Sequence, residues 1–253
     1  MKGVKKVTVV TAYDYPTARL VDQAGADVVL VGDSLGMVCL GYPDTVSVTM
    51  EEMLHHTAAA ARGTSRALIV ADMPFLSYQV SIPEAIRNAG RFLKEARADA
   101  VKLEGGLSMA PTVAAIVKAG IPVMGHIGLT PQTATSLGGF KVQGRDAEAA
   151  VALMEDARAL EEAGAFSMVI ECVPSSLAAS ITAENEIPTI GIGAGRDCDG
   201  QVLVFHDMVG LFDRFLPKFV KRYAEAGKTI GEALARYVKD VEEGIFPGPE
   251  HQF

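Results

Sequence analysis

The 253-residue chain predicts an α/β fold, a (β/α)8 TIM barrel with additional C-terminal helices. Three observations carry that expectation. Short, β-branched, wholly apolar runs recur along the chain and read as buried parallel strands. They alternate with amphipathic patterns flanked by helix caps, the signature of strand–helix units. Several runs end in an acid: Val-Val-Leu-Val-Gly-Asp33-Ser34, Leu-Ile-Val-Ala-Asp72, Val-Lys102-Leu-Glu104-Gly and Val-Ile-Glu171-Cys. Acids at four strand ends converge only if the strands lie side by side with one polarity. About 250 residues is the usual length of such a barrel.

In chain order, Val7–Ala12 is the first strand, and Pro16 opens a helix that Gly25 closes. Asp27–Gly32 is the second strand, followed by a loop to Ser47. Thr49-Met-Glu-Glu52 is a capping box before an Ala-rich helix ending at Gly63. Ala67–Ala71 is the third strand, and Ser81-Ile-Pro-Glu84 starts the next helix. Ala100–Leu103 is the fourth strand, Ala110–Ala119 a helix and Pro122–His126 the fifth strand. Gly128 to Gly139 forms a polar loop longer than a simple connection needs. Arg145–Ala163 is a helix, Ser167–Ile170 the sixth strand, and a helix follows Pro174. Pro188–Ile192 and Val202–Phe205 are the last two strands. Only six residues separate Gly195 from Val202, too few for a crossover helix. Residues 211–253 read as two amphipathic helices split near Gly227 and an extended tail, within one domain spanning residues 1–253.

Composition narrows the function. A net charge of −8 argues against a nucleic-acid or anionic-membrane partner. Three cysteines, Cys39, Cys172 and Cys198, have no metal-binding spacing and read as reduced thiols in a cytoplasm. No stretch approaches a membrane span. The amino-terminal apolar run is broken by Tyr13, Asp14 and Tyr15 and reads as a strand rather than a signal peptide. A cytoplasmic enzyme acting on small molecules is the expectation.

Each candidate has a bland reading. Asp33 or Asp72 alone could cap a helix, Lys102 and Glu104 could be a buried ion pair, and His126 could be a satisfied core histidine. Gly191–Gly195 lacks the dinucleotide spacing and could equally hold phosphate, face a flat ligand or make a tight turn. His55 and His56 are adjacent on a helix, face different directions and chelate poorly together. Yet Asp33, Asp72, Lys102, Glu104, His126 and Glu171 fall at the same ends of successive strands, where barrel enzymes keep their active sites. An oxygen-rich ligand set suits a hard divalent cation.

These residues stand in longer motifs: Val31-Gly-Asp-Ser-Leu-Gly-Met37, Ala71-Asp-Met-Pro-Phe75, Val101-Lys-Leu-Glu-Gly105, Gly125-His-Ile-Gly-Leu-Thr-Pro-Gln132, Val169-Ile-Glu-Cys-Val-Pro174, Gly191-Ile-Gly-Ala-Gly195 and Cys198-Asp-Gly-Gln-Val-Leu-Val204. With them the chain resembles the ketopantoate hydroxymethyltransferase family over nearly its whole length. The resemblance implies transfer of a hydroxymethyl group from 5,10-methylenetetrahydrofolate to 3-methyl-2-oxobutanoate, in pantothenate biosynthesis. It implies Mg²⁺ held by Asp33, Asp72 and Glu104. It implies substrate contacts from Asp33, Ser34, Asp72 and Lys102, with Glu171 as proton acceptor and His126 as a possible auxiliary. It also implies a homodecamer. The nearest rival is an enzyme of the isocitrate lyase and phosphoenolpyruvate mutase type, whose Lys-Lys-Cys-Gly-His type of loop has no counterpart here. A non-catalytic ligand-binding barrel is the alternative from a different class.

Overall fold

The computed structural model describes residues 2–135 and 138–253. The chain forms two compact units, Met1–Val204 and Phe205–Phe253. The first is a closed barrel of eight parallel strands in sequence order. They are β1 (Val7–Thr11), β2 (Val28–Val31), β3 (Leu68–Asp72), β4 (Ala100–Lys102), β5 (Val123–Gly128), β6 (Ser167–Glu171), β7 (Thr189–Ile192) and β8 (Gly200–Leu203). The ring closes where Val7 pairs with Gly200 and Val9 with Val202.

Helices α1 (Tyr15–Gln23), α3 (Met50–Gly63), α4 (Ile82–Ala96), α5 (Ala110–Lys118), α6 (Ala147–Glu162) and α7 (Ser175–Glu184) alternate with the strands, and a four-residue α2 (Leu35–Val38) follows β2. Their starts are where the cap residues put them. Asp14, Thr49, Ser81 and Asp146 each accept a backbone N–H of the first turn, and Thr49 and Glu52 form the reciprocal capping box. The loop after β5 runs through residues 136 and 137, which lie outside the described residues.

A strand's side chains alternate between its two faces, and this period places the site. Val7, Val9, Val28, Leu30, Val70, Ala100, Met124, Val169, Ile190 and Val202 form one buried cluster to which every strand contributes. This is the filling of the barrel. Two residues beyond Val70 comes Asp72. Two and four beyond Ala100 come Lys102 and Glu104. Two beyond Met124 comes His126, and two beyond Val169 comes Glu171. The inward row that is apolar at the bottom of the barrel therefore turns polar at the carboxyl ends of four neighbouring strands. Asp33 lies three residues beyond Leu30, and the turn at Gly32 brings it to the same rim.

The connection from β7 to β8 has no helix, as its length requires. β8 still pairs parallel with β7, from Ile190↔Gly200 onward. The returning chain is stapled instead by Asp199, whose Oδ2 accepts from Thr189 N at 3.0 Å and from Lys2 Nζ at 2.9 Å. Gly191–Gly195 makes the tight turn. A Cβ on Gly191 would meet Cys198 Sγ at 3.0 Å, and Gly195 has φ +83 with Ser175 Cβ 2.5 Å from where its own would lie.

The second unit corrects one expectation. It contains a short α8 (Phe205–Met208) and one long helix, α9 (Ala226–Glu242), rather than two amphipathic helices. Residues 211–225 are irregular. Pro217 has no N–H to donate and biases Leu216 away from helical geometry. The segment satisfies part of its backbone elsewhere, with Tyr223 N donating to Met208 O at 2.7 Å and Ala226 N to Val209 O at 2.8 Å. Gly227 lies in the first turn of α9 rather than between helices. Among the described residues no helix is long and apolar enough to cross a membrane.

Candidate active site

The rim brings together all seven residues singled out in the sequence. Asp33, Asp72, Lys102, Glu104 and His126 are buried, Ser34 is half-buried, and the Glu171 side chain keeps 16% of its surface exposed. The lysine does not pair with Glu104, its neighbour along the strand. Its Nζ lies 2.8 Å from Asp72 Oδ1 on β3, because Asp72 and Lys102 are register partners. Asp72 Oδ2 accepts the backbone N–H of Asp33 at 3.1 Å, tying the end of β2 to β3. A Cβ on Gly32 would lie 2.9 Å from Ser34 Oγ and 3.5 Å from Asp72 Oδ2. Ser34 in turn shares a 2.8 Å hydrogen bond with Tyr13 Oη.

His126 stands between two acids. Its Nδ1 is 3.5 Å from Glu104 Oε1 and its Nε2 is 3.2 Å from Glu171 Oε2. The backbone of Glu171 is set by a glycine: Gly128 has φ +90, and a Cβ there would lie 2.3 Å from Glu171 O. That carbonyl accepts the N–H of Leu129 at 2.9 Å. Beyond Glu171 the chain turns sharply, with Cys172 at φ +48.

The electrostatics follow from burying acids together. Burial and the charges of Asp72 and Glu104 raise the Asp33 carboxyl well above its usual range, and Lys102 and Gln132 oppose this only in part. Burial pushes Lys102 down, but Asp72, Glu104 and Asp33 outweigh it and lift the ammonium above its ordinary value. Burial and Lys102 also push His126 down, yet the two flanking carboxylates raise it to about 9. The flanking carboxylates thus favour the protonated ring over the neutral one.

The residue types at this rim fit a hard divalent cation. Asp33, Asp72 and Glu104 share the rim with one buried ammonium and one imidazole ring, and Glu171 adds a fourth acid. The neighbouring carboxylates add to burial in raising Asp33. Among the described residues no three His, Cys, Asp or Glu side chains already close on a metal position. Mg²⁺ does not ask for a preformed all-protein cage, since it keeps several of its own waters.

Two residues that the sequence reading passed over complete the site. Gln132, on the loop after β5, is buried. Its Nε2 donates to Asp33 Oδ2 and to Met73 O, each at 2.9 Å, and its backbone N donates to Glu104 Oε2 at 3.0 Å. Tyr78 Oη donates to Gln132 Oε1 at 2.7 Å and accepts from Glu104 N at 3.1 Å. With acceptors on one side of the carboxamide and a hydroxyl on the other, only this amide orientation satisfies both ends. Gln132 stands at the end of a motif quoted above, but nothing in its local sequence shows that it reaches β2.

Known proteins match this chain throughout. The family model for ketopantoate hydroxymethyltransferase covers residues 1–249. A 3-methyl-2-oxobutanoate hydroxymethyltransferase of Syntrophobacter fumaroxidans is 64% identical over 100% of this chain and 89% of its own length. The enzyme of the same name from Enterococcus faecalis is 58% identical, over 98% of this chain and 90% of its own. Among solved structures, a phosphonopyruvate hydrolase in complex with oxalate and Mg²⁺ superposes with a TM-score of 0.63 at 13% identity, over 97% of this chain and 88% of its own. An oxaloacetate acetylhydrolase with oxalate gives 0.64 at 13% identity, over 100% and 88%. The last two share the fold and nothing closer. The chain is an enzyme and belongs to the ketopantoate hydroxymethyltransferase family.

Proposed function

We propose that this enzyme transfers the one-carbon unit of 5,10-methylenetetrahydrofolate as a hydroxymethyl group to carbon 3 of 3-methyl-2-oxobutanoate, with uptake of one water, giving ketopantoate and tetrahydrofolate. The relatives named for that substrate support the choice of oxo acid. The observation that carries the chemistry is the excess of carboxylate at one rim, Asp33, Asp72 and Glu104 against the single ammonium of Lys102. These three acids are the ligands for Mg²⁺. A divalent cation held by them would supply Lewis-acid polarisation of the 2-oxo group, which would lower the cost of removing the carbon-3 proton.

The remaining work falls to the chain's own side chains. Glu171 accepts the carbon-3 proton. It sits on β6, four strands round the ring from β2, so it faces the substrate from the wall opposite Asp33. Lys102 offsets negative charge on the bound oxo acid. Ser34, held by Tyr13, donates to the substrate's carboxylate. His126 carries a positive edge against Glu171 and keeps that side chain in position. The site works in the cytoplasm, and the enzyme assembles as a decamer. Ile230, Leu234, Tyr237, Val238 and Val241 on α9 are exposed apolar residues suited to subunit contacts.

The test is direct. Purified enzyme supplied with 3-methyl-2-oxobutanoate, methylenetetrahydrofolate and Mg²⁺ forms ketopantoate, and it does not cleave phosphonopyruvate or oxaloacetate. Turnover of either of those two acids without ketopantoate formation would assign the site to the chemistry of its distant structural neighbours.

A further inference from the structure

We infer that Gln132 is a positioning residue, whose carboxamide sets the orientation of Asp33 and whose backbone N–H holds Glu104, for metal and oxo acid. The inference rests on the Mg²⁺ reading above. It starts from geometry that is independent of any ligand. One residue on a loop touches the ends of three consecutive strands: β2 through Asp33 Oδ2, β3 through Met73 O and β4 through Glu104 Oε2, all at 2.9–3.0 Å.

Asp33 and Glu104 both lie past the ends of their strands, β2 and β4. Asp33 lies past the end of β2, in the turn that begins at Gly32, so its strand does not fix its side chain. Each carboxylate has a terminal torsion that is broad in energy, so its rotation is chosen by its partners. Gln132 Nε2 takes Asp33 Oδ2 and thereby fixes the plane of that carboxylate. The Gln132 backbone takes Glu104 Oε2 and fixes the second, leaving Glu104 Oε1 toward His126.

The carboxamide is itself locked. Its Oε1 accepts from Tyr78 Oη, and that same hydroxyl accepts from Glu104 N. Tyr78 is among the largest fully buried side chains. Gln132 can therefore not swing away without leaving buried donors and acceptors unpaired. A glutamine suits the post better than a glutamate would: it donates two bonds to oxygens without adding a further negative charge beside Asp33.

The experiment uses Mn²⁺, which stands in for Mg²⁺ and reports by its own resonance signal whether it is free or bound. Gln132→Met keeps the length of the side chain and removes its polar end. We expect Mn²⁺ to bind the folded variant about ten- to hundredfold more weakly, the usual effect of removing a group that orients a metal ligand. In steady state kcat should fall by a similar factor at saturating metal, while the KM for the oxo acid changes less. Tyr78→Phe removes the lock but leaves Gln132, and should shift Mn²⁺ affinity in the same direction by less. If Gln132→Met does not fold, Tyr78→Phe decides alone. Parent-like Mn²⁺ affinity in a folded Gln132→Met or, failing that, in Tyr78→Phe overturns the inference. A parent enzyme that binds no Mn²⁺ overturns the metal reading itself, so the two failures are told apart by the parent.

Discussion

Replacing Lys102 by methionine tests the charge balance on which the site depends. Lys102 is buried, and its Nζ lies 2.8 Å from Asp72 Oδ1, which is equally buried. At that distance and an effective dielectric near 20 the attraction is on the order of 6 kcal/mol. Desolvation consumes part of that, and deleting one partner of a buried pair typically leaves a net loss of about 3–5 kcal/mol. Methionine fills similar volume, so the loss reports charge rather than a cavity. Urea titration of metal-free Lys102→Met at neutral pH should show this loss. Mg²⁺ should then restore more stability to the variant than to the parent, because the cation supplies the missing positive charge and binding stabilises the folded state. Turnover should fall on the order of 10²–10³-fold, as when one preorganised electrostatic contact is removed. A variant as stable as the parent without metal would refute the view that this rim carries excess buried negative charge.

Other outcomes follow from single residues. Glu171→Gln preserves shape and removes the proposed proton acceptor, so exchange of the carbon-3 hydrogen in heavy water should drop on the order of 10²–10⁴-fold while Mn²⁺ still binds; parent-like exchange would mean another group is the base. Asp22 accepts hydrogen bonds from Ser65 N, Ser65 Oγ, Arg66 N and Ala67 N. Although burial opposes it, these bonds hold its carboxyl down at about 2 from 3.8. A lowered folded-state value means stability that is present above the unfolded value and lost as pH falls through about 2. Asp22→Asn should therefore cost about 1–2 kcal/mol at pH 7 after allowance for solvent screening, with the difference vanishing toward pH 2 in acid-denaturation curves. Light scattering should find a particle far larger than a monomer; a fully active monomer at micromolar concentration would sink the proposed assembly.

Much of the fold was legible because barrel strands obey a period of two. The step from Val70 to Asp72, from Ala100 through Lys102 to Glu104, and from Val169 to Glu171 can be counted in the sequence. Each acid then inherits the inward direction of the apolar residue before it. The short connection before β8 was equally countable, but whether it meant a missing helix or a displaced strand eight took the pairing of β7 with β8 to settle. What escaped depends on long-range structure. Gln132 is 99 residues from Asp33 and 28 from Glu104, and no local pattern announces either bond. The pairing of Lys102 with Asp72 instead of Glu104 comes from the register of β3 against β4, which periodicity does not specify. Residues 211–225 looked amphipathic, but the backbone constraint of Pro217 and the bonds to Met208 and Val209 won over the apolar pattern. His126 was visible as a candidate, whereas its charge state is a property of the two carboxylates that flank it.

The most direct test is proton abstraction without the folate. Enzyme stripped of divalent ions is mixed with 3-methyl-2-oxobutanoate in heavy water, and loss of the carbon-3 proton signal is followed by magnetic resonance. Metal-assisted chemistry at Asp33, Asp72 and Glu104 predicts no exchange above the uncatalysed rate until Mg²⁺ is added, and rapid exchange afterwards. Full exchange by the metal-free enzyme, unchanged on adding Mg²⁺, would contradict it.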